Sequence, residues 1–296
     1  MTAPLLSIII PFFNAETTIR RTMESLRSIS AESGEWVEVI MVDDGSDDGS
    51  AGVAGAMKQE LSHLRITLLT RRNAGTAAAR NAGLMRARGE WVFFLDADDD
   101  LAFDPIPYIR KYSFATGIVF PLVMMRHGRI YKKRKPVAIP PGRHLDVFSA
   151  GNPNMVSAYL VRRDCISRMF EEDFLYMEDW LFWISNPRVF ERSIVCTDTA
   201  SSVIHLHGGN KSSDFLLNGT FRERVAEKVL NDAVGMLSRR QRNNLRINLG
   251  IGRIQQGRKV PAGILLCWPS DPVLYIKLLA YFFMKKRLER LDPYRS

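Results

Sequence analysis

The first hundred residues alternate short apolar runs with segments of helical periodicity, and this alternation limits the fold more than any other feature. Four runs rich in β-branched and aromatic residues are typical of buried strands: Leu6–Ile10, Val37–Val42, Ile66–Thr70 and Trp91–Leu95. The segments between them predict helices that begin near Ala15, Asp48 and Thr76. This order indicates βαβ units and an α/β fold, with a mostly parallel sheet flanked by helices.

Charged residues follow three of these predicted strands. Asp43 and Asp44 end the second, a segment containing Arg80 follows the third, and the acid-rich run Asp96–Asp100 follows the fourth. In open α/β sheets, ligands bind beyond the carboxyl ends of the strands. Clustered carboxylates at a rigid strand end suit a divalent cation that also holds phosphates. We therefore expect this chain to bind a nucleotide diphosphate.

Each of these segments also has a simpler interpretation when it is taken alone. Aspartate favours turns, so Asp96–Asp100 fits a solvated loop. Asp44 fits a helix cap, and Arg80 fits the exposed face of a helix. Charged features at three strand ends are harder to explain in this way than one such feature.

Together, the strand-end segments resemble the successive motifs of family-2 glycosyltransferases with the GT-A fold. The segments are IIIPFFNAETTI, VDDGSDDGS, NAGTAAARNAGL and GEWVFFLDADD, and they cover about the first 105 residues. The resemblance implies a Rossmann-like GT-A domain and a nucleotide-sugar donor, with a uridine diphosphate sugar expected. It also implies inverting transfer of a hexose to a hydroxyl group of an acceptor.

The resemblance further implies which residues contact the donor. Pro11 and Phe12 match the backbone segment beside the nucleotide base, and Glu16 matches a ribose-side contact. Asp44 matches the acid that accepts a hydrogen bond from the uracil imide. Arg80 matches a donor-binding arginine.

The segment Asp96-Ala97-Asp98 resembles the family's DxD motif. The resemblance places Asp96 toward the ribose or the metal, and it makes Asp98 the direct ligand of Mn²⁺ or Mg²⁺, which bridges the diphosphate oxygens. His207 precedes two glycines and is similar to a family histidine that contacts the metal or the diphosphate, whereas His205 fits a structural role. We interpret the two following acids as outside the coordination sphere or in solvent: Asp99 and Asp100.

The pair Glu178-Asp179 resembles the family's ED motif, whose aspartate takes the proton from the acceptor hydroxyl. The resemblance implies that Asp179 is the general base. A structural alternative stays open, because two acids at the start of the helix predicted at Glu178–Ile184 also interact favourably with its dipole.

The second half of the chain carries fewer signals. We predict strands at Gly117–Met125 and Ser157–Val161, and a basic turn or hairpin at Gly128–Pro141. The predicted division is a GT-A catalytic domain over residues 1–215, with a donor half at 1–105 and an acceptor half at 106–215. A helical, basic C-terminal extension follows at 216–296.

The net charge of +9 is concentrated in two segments. Arg239–Lys259 contains seven basic residues and no acid, and Gly128–Lys135 contains five. Such patches attract phosphate-rich partners. No helix-turn-helix, zinc-finger or RNP-type pattern accompanies them, so we expect no nucleic-acid partner and consider an anionic membrane surface instead.

The C-terminal run Val273–Met284 is almost entirely apolar, and basic residues follow it. Spanning a bilayer needs about 20 apolar residues, so this run is too short. It fits either a helix lying at a membrane interface or a helix packed on the main domain.

The N-terminal segment Met1–Asn14 has no basic region and no long apolar stretch of the kind that a signal peptide has. The three cysteines lie far apart, without the spacing of a zinc site or a disulfide framework. We therefore expect a cytoplasmic protein, peripheral on the inner face of the cell membrane if the C-terminal run binds lipid.

Three functions are compatible with these features. The leading hypothesis is a metal-dependent glycosyltransferase that extends a glycan or a lipid-linked acceptor in bacterial cell-envelope polysaccharide synthesis. The alternative is a non-catalytic nucleotide-binding subunit of a glycan-assembly complex. A nucleic-acid binder is suggested only by the basic patches.

Overall fold

A computed structural model describes residues 3–207, 214–233 and 235–261, together with residues 264, 276, 279 and 280. The chain divides into two compact units. Unit 1 is Met1–Arg143 with Pro153–His207, and unit 2 is His144–Asn152 with Gly208–Ser296. The predicted functional division at residue 215 stays a prediction.

Two sheets form the framework of unit 1. The strands in chain order are β1 Leu6–Phe12, β2 Val37–Asp43, β3 Arg65–Thr70, β4 Trp91–Phe94, β5 Asp100–Leu101, β6 Gly117–Val119, β7 Leu122–Arg126, β8 Arg129–Arg134, β9 Tyr159–Arg162, β10 Ile194–Cys196 and β11 Ser202–Leu206. The larger sheet has the order β10-β6-β9-β4-β1-β2-β3, and the smaller has the order β5-β11-β7-β8.

The larger sheet is mostly parallel, as predicted. β4, β1, β2 and β3 run in the same direction, and β9 is antiparallel to both of its neighbours. All seven residues of β1 are buried, as are all four of β4. Strands buried on both faces require continuous apolar runs, which explains why the sequence shows runs at these positions and not alternation. The α/β fold class is confirmed.

Helices cover the sheets and form unit 2. Their bounds are α1 Ile19–Ser25, α2 Ala31–Gly34, α3 Ser50–Glu60, α4 Thr76–Arg86, α5 Ile106–Lys111, α6 His144–Phe148, α7 Glu178–Ser185, α8 Phe215–Asp232 and α9 Arg239–Gln255. Short 3-10 turns lie at Leu26–Ser28, Val156–Ala158, Arg163–Cys165 and Pro187–Phe190. In α4, three consecutive alanines at positions 77–79 are buried, and Gly83 packs directly on Ile9 of β1.

Two helices begin later than the sequence predicts. α1 begins at Ile19 and not near Ala15, and α3 begins at Ser50. The residues before them hydrogen-bond between the two loops: the Ala15 N–H donates to Ser50 Oγ at 2.7 Å, and the Gly49 N–H donates to Glu16 at 3.1 Å. Side-chain bonds of this kind compete with helix formation.

The predicted strand Gly117–Met125 is wrong in one respect, because it is two strands in different sheets. β6 ends at Val119 in the larger sheet, and β7 starts at Leu122 in the smaller one. Pro121 lies at the break, and proline has no N–H to donate to a strand ladder. The predicted strand Ser157–Val161 likewise begins as a 3-10 turn and becomes strand at Tyr159.

Unit 2 is helical, as predicted. α8 and α9 pack closely at a crossing where a Cβ on Gly219 would meet the Gly252 carbonyl at 2.8 Å. The buried Glu223 of α8 binds Arg253 at 2.6 Å and Arg258 at 2.7 Å. Ser238 caps α9 with a capping box. In the described part of the chain, no helix is both long enough and apolar enough to cross a bilayer.

Candidate active site

The acidic residues after β4 form a tight turn against α1. The N–H of Asp99 donates to the Asp96 carbonyl at 3.1 Å, and Thr22 Oγ1 donates to the Ala97 carbonyl at 2.9 Å. These bonds satisfy the backbone of the turn and hold its carboxylates in place. The acidic segment is therefore an ordered turn at the carboxyl end of β4 and not a freely solvated loop.

Within this turn, the carboxylate of Asp98 faces His207. Asp98 Oδ2 lies 3.1 Å from His207 Nε2, which joins the acidic turn to the segment just after β11. The two side chains are 34% and 44% exposed, so a ligand can reach both. Burial and the nearby charge of Asp96 raise the pKa of Asp98, and the bond with His207 offsets part of that rise. A positive charge placed at this point would relieve the same repulsion.

Asp98 and His207 fit a divalent cation. A carboxylate oxygen and an imidazole nitrogen together suit Mn²⁺, and the oxygen also suits Mg²⁺. Among residues that the structure describes, no cluster of three or more ligating side chains occurs. A two-residue donor set suits a cation that takes its remaining ligands from water and from substrate phosphates. These are the residues that would hold the metal.

The next two acids of the turn differ from the prediction in their surroundings. Asp99 is only 3% exposed, so it is not solvated, and its carboxylate accepts the backbone N–H of His205 at 3.0 Å. Burial, with the adjacent Asp98, raises the pKa of Asp99 well above its ordinary value. Asp100 lies 2.7 Å from His205 Nε2 and 3.0 Å from Arg21 Nε. This pairing supports the structural role predicted for His205.

Arg80 is buried at the centre of an ion cluster. Its side chain is 4% exposed, with Nη2 2.6 Å from Asp96 and Nη1 2.5 Å from Glu178. Burial alone would lower the pKa of Arg80, but Asp96 and Glu178 outweigh that effect and raise it above the ordinary value. The guanidinium also lies 5.5 Å from the ring centroid of Phe170. Arg80 is thus not the exposed helix residue of the simpler interpretation.

The Arg80 cluster joins the acidic turn to the start of α7, where Asp179 lies. Asp179 Oδ1 accepts the Trp180 N–H at 2.8 Å, and the residue is half-buried. Met177, just before the helix, has a φ of 58° in the left-handed region, which costs about 1 kcal/mol for a residue with a side chain. With Glu178 anchored and Met177 strained, the backbone position of Asp179 is closely constrained.

Asp44 organises the loop that precedes α4. Its carboxylate accepts the Gly75 N–H at 2.7 Å and the Ala74 N–H at 3.2 Å, and the residue is 3% exposed. Gly75 has a φ of 94°, which a residue with a Cβ rarely adopts. An ionised carboxylate has about four lone-pair sites, so these bonds leave acceptor capacity for a ligand.

The other predicted donor residues lie at the same sheet edge. Pro11 and Phe12 are buried at the end of β1, and the Phe12 carbonyl accepts the Asp44 N–H at 2.8 Å. Glu16 is exposed, and its carboxylate accepts the Gly49 N–H. The fold brings the loops after β1, β2 and β3 together, and the Glu16, Asp44 and Arg80 side chains each have a bond within the protein.

Sequence reasoning missed the partners that hold this site. Nothing near Arg80 in the sequence identifies Glu178, which lies 98 positions away, as its ion partner. Arg21, which binds Asp100, also donates to the Asp98 carbonyl and carries no motif of its own. Contacts over such separations leave no local pattern.

A cavity of about 340 Å³ lies elsewhere in unit 1. Its lining includes three arginines with Asp164 and Cys165, and none of the predicted site residues. The candidate site is an open rim of strand ends and not this cavity.

The family comparison agrees with the site. Residues 7–147 match the Glycosyl transferase family 2 model. An uncharacterized glycosyltransferase of Haemophilus influenzae is 27% identical over 220 residues, which are 72% of this chain and 84% of that protein. For seven further curated relatives, the chain spans between 14% and 37% of their length.

Two solved structures share the fold. S. aureus TarS 1–349 in complex with UDP-GlcNAc has a TM-score of 0.63 at 18% identity, covering 98% of this chain and 93% of that one. The mannosyltransferase PcManGT from Pyrobaculum calidifontis, in complex with GDP-Man and Mn²⁺, has a TM-score of 0.61 at 16% identity, covering 100% of this chain and 83% of that one. The predicted resemblance is confirmed: over residues 7–147 the chain belongs to glycosyl transferase family 2, and its fold is GT-A.

Proposed function

We propose that this glycosyltransferase is an inverting, metal-dependent enzyme that moves a hexose from a nucleotide diphosphate donor to a hydroxyl group. One observation carries the proposal. Asp98 and His207, from separate segments, face each other across 3.1 Å at the edge of the sheet, beside the ion cluster of Asp96, Arg80 and Glu178. An open donor pair for a cation next to a rigid charged cluster supports diphosphate chemistry.

The donor in this proposal is a uridine diphosphate sugar. Pro11 and Phe12 flank the base, Asp44 accepts from the imide through its remaining lone pairs, and Glu16 lies on the ribose side. Asp98 and His207 hold Mn²⁺ or Mg²⁺, which supplies charge neutralisation for the leaving diphosphate. The solved neighbours include proteins bound to UDP-GlcNAc and to GDP-Man with Mn²⁺, which supports a nucleotide sugar as the donor class.

The structure changes the role that we assign to Arg80. Both ends of its guanidinium bind acids of the protein. We therefore propose that Arg80 acts on the donor site through Asp96, by holding that carboxylate and the start of α7 in fixed positions. A group that positions others without touching the substrate still affects the rate.

Asp179 is the general base in this proposal. In a single displacement the acceptor oxygen attacks the anomeric carbon, the bond to the diphosphate oxygen breaks, and Asp179 takes the hydroxyl proton. Its place in the first turn of α7, next to the anchored Glu178, supports this role. The acceptor is a glycan or a lipid-linked sugar in cell-envelope polysaccharide synthesis.

A thermal-shift screen of nucleotide sugars with and without Mn²⁺ tests the proposal. A true donor binds the folded state alone and raises the melting temperature, more strongly with the cation. Slow hydrolysis of that donor then separates an enzyme from a non-catalytic nucleotide-binding subunit. Absence of any shift with the common uridine and guanosine diphosphate sugars would refute the proposed function.

We also propose a cytoplasmic location, peripheral on the inner face of the membrane. In α9, Arg239, Arg240 and Arg246 are exposed, whereas Arg253 binds Glu223. The apolar run Val273–Met284 lies largely outside the described residues. Deleting residues 273–296 should release the protein from anionic vesicles, and unchanged co-sedimentation would exclude membrane binding by that segment.

A further inference from the structure

The hairpin of β7 and β8 is a strongly basic surface that the proposed reaction does not use. Between Asp104 and Asp146 the chain has no acid. β8 is an edge strand, and five of its six residues are exposed. Four of its six residues are cations: Arg129, Lys132, Lys133 and Arg134.

The tip of this hairpin has a fixed conformation. The two turn residues, His127 and Gly128, have φ values of 50° and 72°, the pattern of the tight turn that best matches the twist of paired strands. Next to the turn, the Arg126 guanidinium lies 4.7 Å from the ring centroid of Tyr131. The basic groups are therefore presented on an ordered scaffold.

A bulge gathers the cations on one face of the hairpin. Arg126 pairs with Arg129, and Met124 pairs with Lys132, with a register shift that leaves Tyr131 as the extra residue. Because paired residues share a face, Arg129 and Lys132 lie on the face of Arg126. The contact between Arg126 and Tyr131 places that ring there too.

The tip lies at the same edge of the small sheet as the proposed metal pair. β7 is parallel to β11, with Arg126 beside Leu206, the residue before His207. Neighbouring strands are about 4.8 Å apart, so the tip is roughly 5–10 Å from the end of β11. His205 pairs with Met125 and so lies on the other face. A ligand that touches both the cations and the metal pair must extend around the turn.

A protected sheet edge or a membrane-binding surface would account for less of this pattern. Lysines on edge strands prevent pairing with other chains, which explains Lys132 and Lys133 but not an exposed Tyr131 stacked on Arg126. A bilayer needs one apolar face, but the exposed Ile130 lies on the face of Met125 and Tyr131 lies on the other. The tip itself is polar.

We propose that the cationic face of Arg126, Arg129, Tyr131 and Lys132 binds the acceptor, and that the acceptor is an extended chain bearing phosphates. The inference rests on the proposed function and names its acceptor class. The cations bind the phosphates of the chain, Tyr131 packs on its sugar or polyol carbons, and the reacting hydroxyl reaches the rim around the turn. Small phosphates lack the length to use both places.

Binding of a fluorescent polyol phosphate oligomer, followed by anisotropy, tests the proposal. Arg129→Gln/Lys132→Gln should weaken binding about fivefold or more, since each exposed charge pair contributes roughly 0.2–1 kcal/mol. The charge-reversed Arg129→Glu/Lys132→Glu should weaken it further. The matched control is Arg86→Gln/Arg88→Gln, which removes two exposed cations elsewhere in unit 1 and should leave affinity unchanged. Equal affinity in both double variants would overturn the proposal.

Further measurements separate this inference from its competitors. Donor-induced thermal shifts should be the same in both double variants, so failure of the proposed function shows as a missing shift in the wild type. Hairpin variants that lose pelleting with phosphatidylglycerol vesicles but keep oligomer affinity would identify a membrane surface instead. Tighter binding of single-stranded RNA than of the polyol phosphate, lost in the same variants, would overturn the acceptor assignment.

Discussion

The Arg80 cluster and the Asp98–His207 pair lie next to each other in unit 1, but their surroundings differ. Arg80 is 4% exposed and Glu178 is 11% exposed, whereas Asp98 and His207 are 34% and 44% exposed. Buried charges are stable only when they are paired within the protein, and partly open charges can exchange a protein partner for a ligand. The buried cluster therefore holds the geometry, and the open pair is available for chemistry.

This difference also divides the adjacent acids by role. Asp96 contacts Arg80 and lies beside Asp98, so it belongs to both regions. Asp179 follows Glu178 in α7, so its position depends on the buried cluster although its proposed function is at the open rim. Substitutions in the two regions should accordingly give different signatures, in stability for one and in ligand binding or turnover for the other.

The largest effect is expected for Asp179→Asn. Replacing the proposed base should lower kcat by about 10²–10⁴-fold, because general base catalysis contributes on that scale. Donor affinity should be nearly unchanged, since the substitution leaves the Arg80 cluster intact. Steady-state kinetics with calorimetry of donor binding measures both quantities. Normal turnover in this variant would move the base to another residue.

Arg80→Met should act mainly on stability. It leaves Asp96 and Glu178 without their shared cation, and breaking a buried ion pair costs about 3 kcal/mol or more. Urea denaturation should show this loss, and Arg80→Lys, which keeps the charge, should recover part of it. A loss below about 0.5 kcal/mol, the size typical of an exposed surface change, would show that the cluster does not hold the site.

A smaller effect, of opposite sign, is expected for Asp99→Asn in the presence of a chelator. Burial raises the pKa of Asp99 in the folded state, so the wild type loses stability as pH rises from the unfolded pKa through the folded one. Asparagine has no charge to bury and can still accept the His205 N–H. The variant should be more stable by about 1 kcal/mol at pH 8 and no more stable at pH 3. A pH-independent difference in the free energy of unfolding would show that burial of the Asp99 charge is not its cause.

The parts of the fold that follow from local pattern were predictable. Four buried strands and the helix at Thr76 agree with the sequence to within a few residues, because strands buried on both faces need continuous apolar runs. The break at Pro121 was missed, since an apolar run does not show in which sheet a strand lies. The late start of α1 depends on hydrogen bonds to a loop more than thirty positions away, which no local signal carries.

For the site, the sequence identified the residue types and the strand ends but not the partners. Asp98 and His207 were both predicted, and the structure brings them together from positions 109 apart. Asp99 was expected in solvent or outside the coordination sphere and is buried, because its solvation depends on β11 packing over the turn. The burial of Arg80 was likewise invisible, since a helix pattern does not reveal what covers it.

The most direct test of the central claim is a calorimetric titration of Mn²⁺ into the protein with a bound uridine or guanosine diphosphate sugar found in the screen. We expect saturable binding in the wild type and in the control Asp198→Ala, which removes an exposed acid distant in sequence from the turn. In Asp98→Ala, binding should be lost, together with metal-dependent transfer. Wild-type Mn²⁺ affinity in Asp98→Ala would contradict the proposal that the open pair holds the metal.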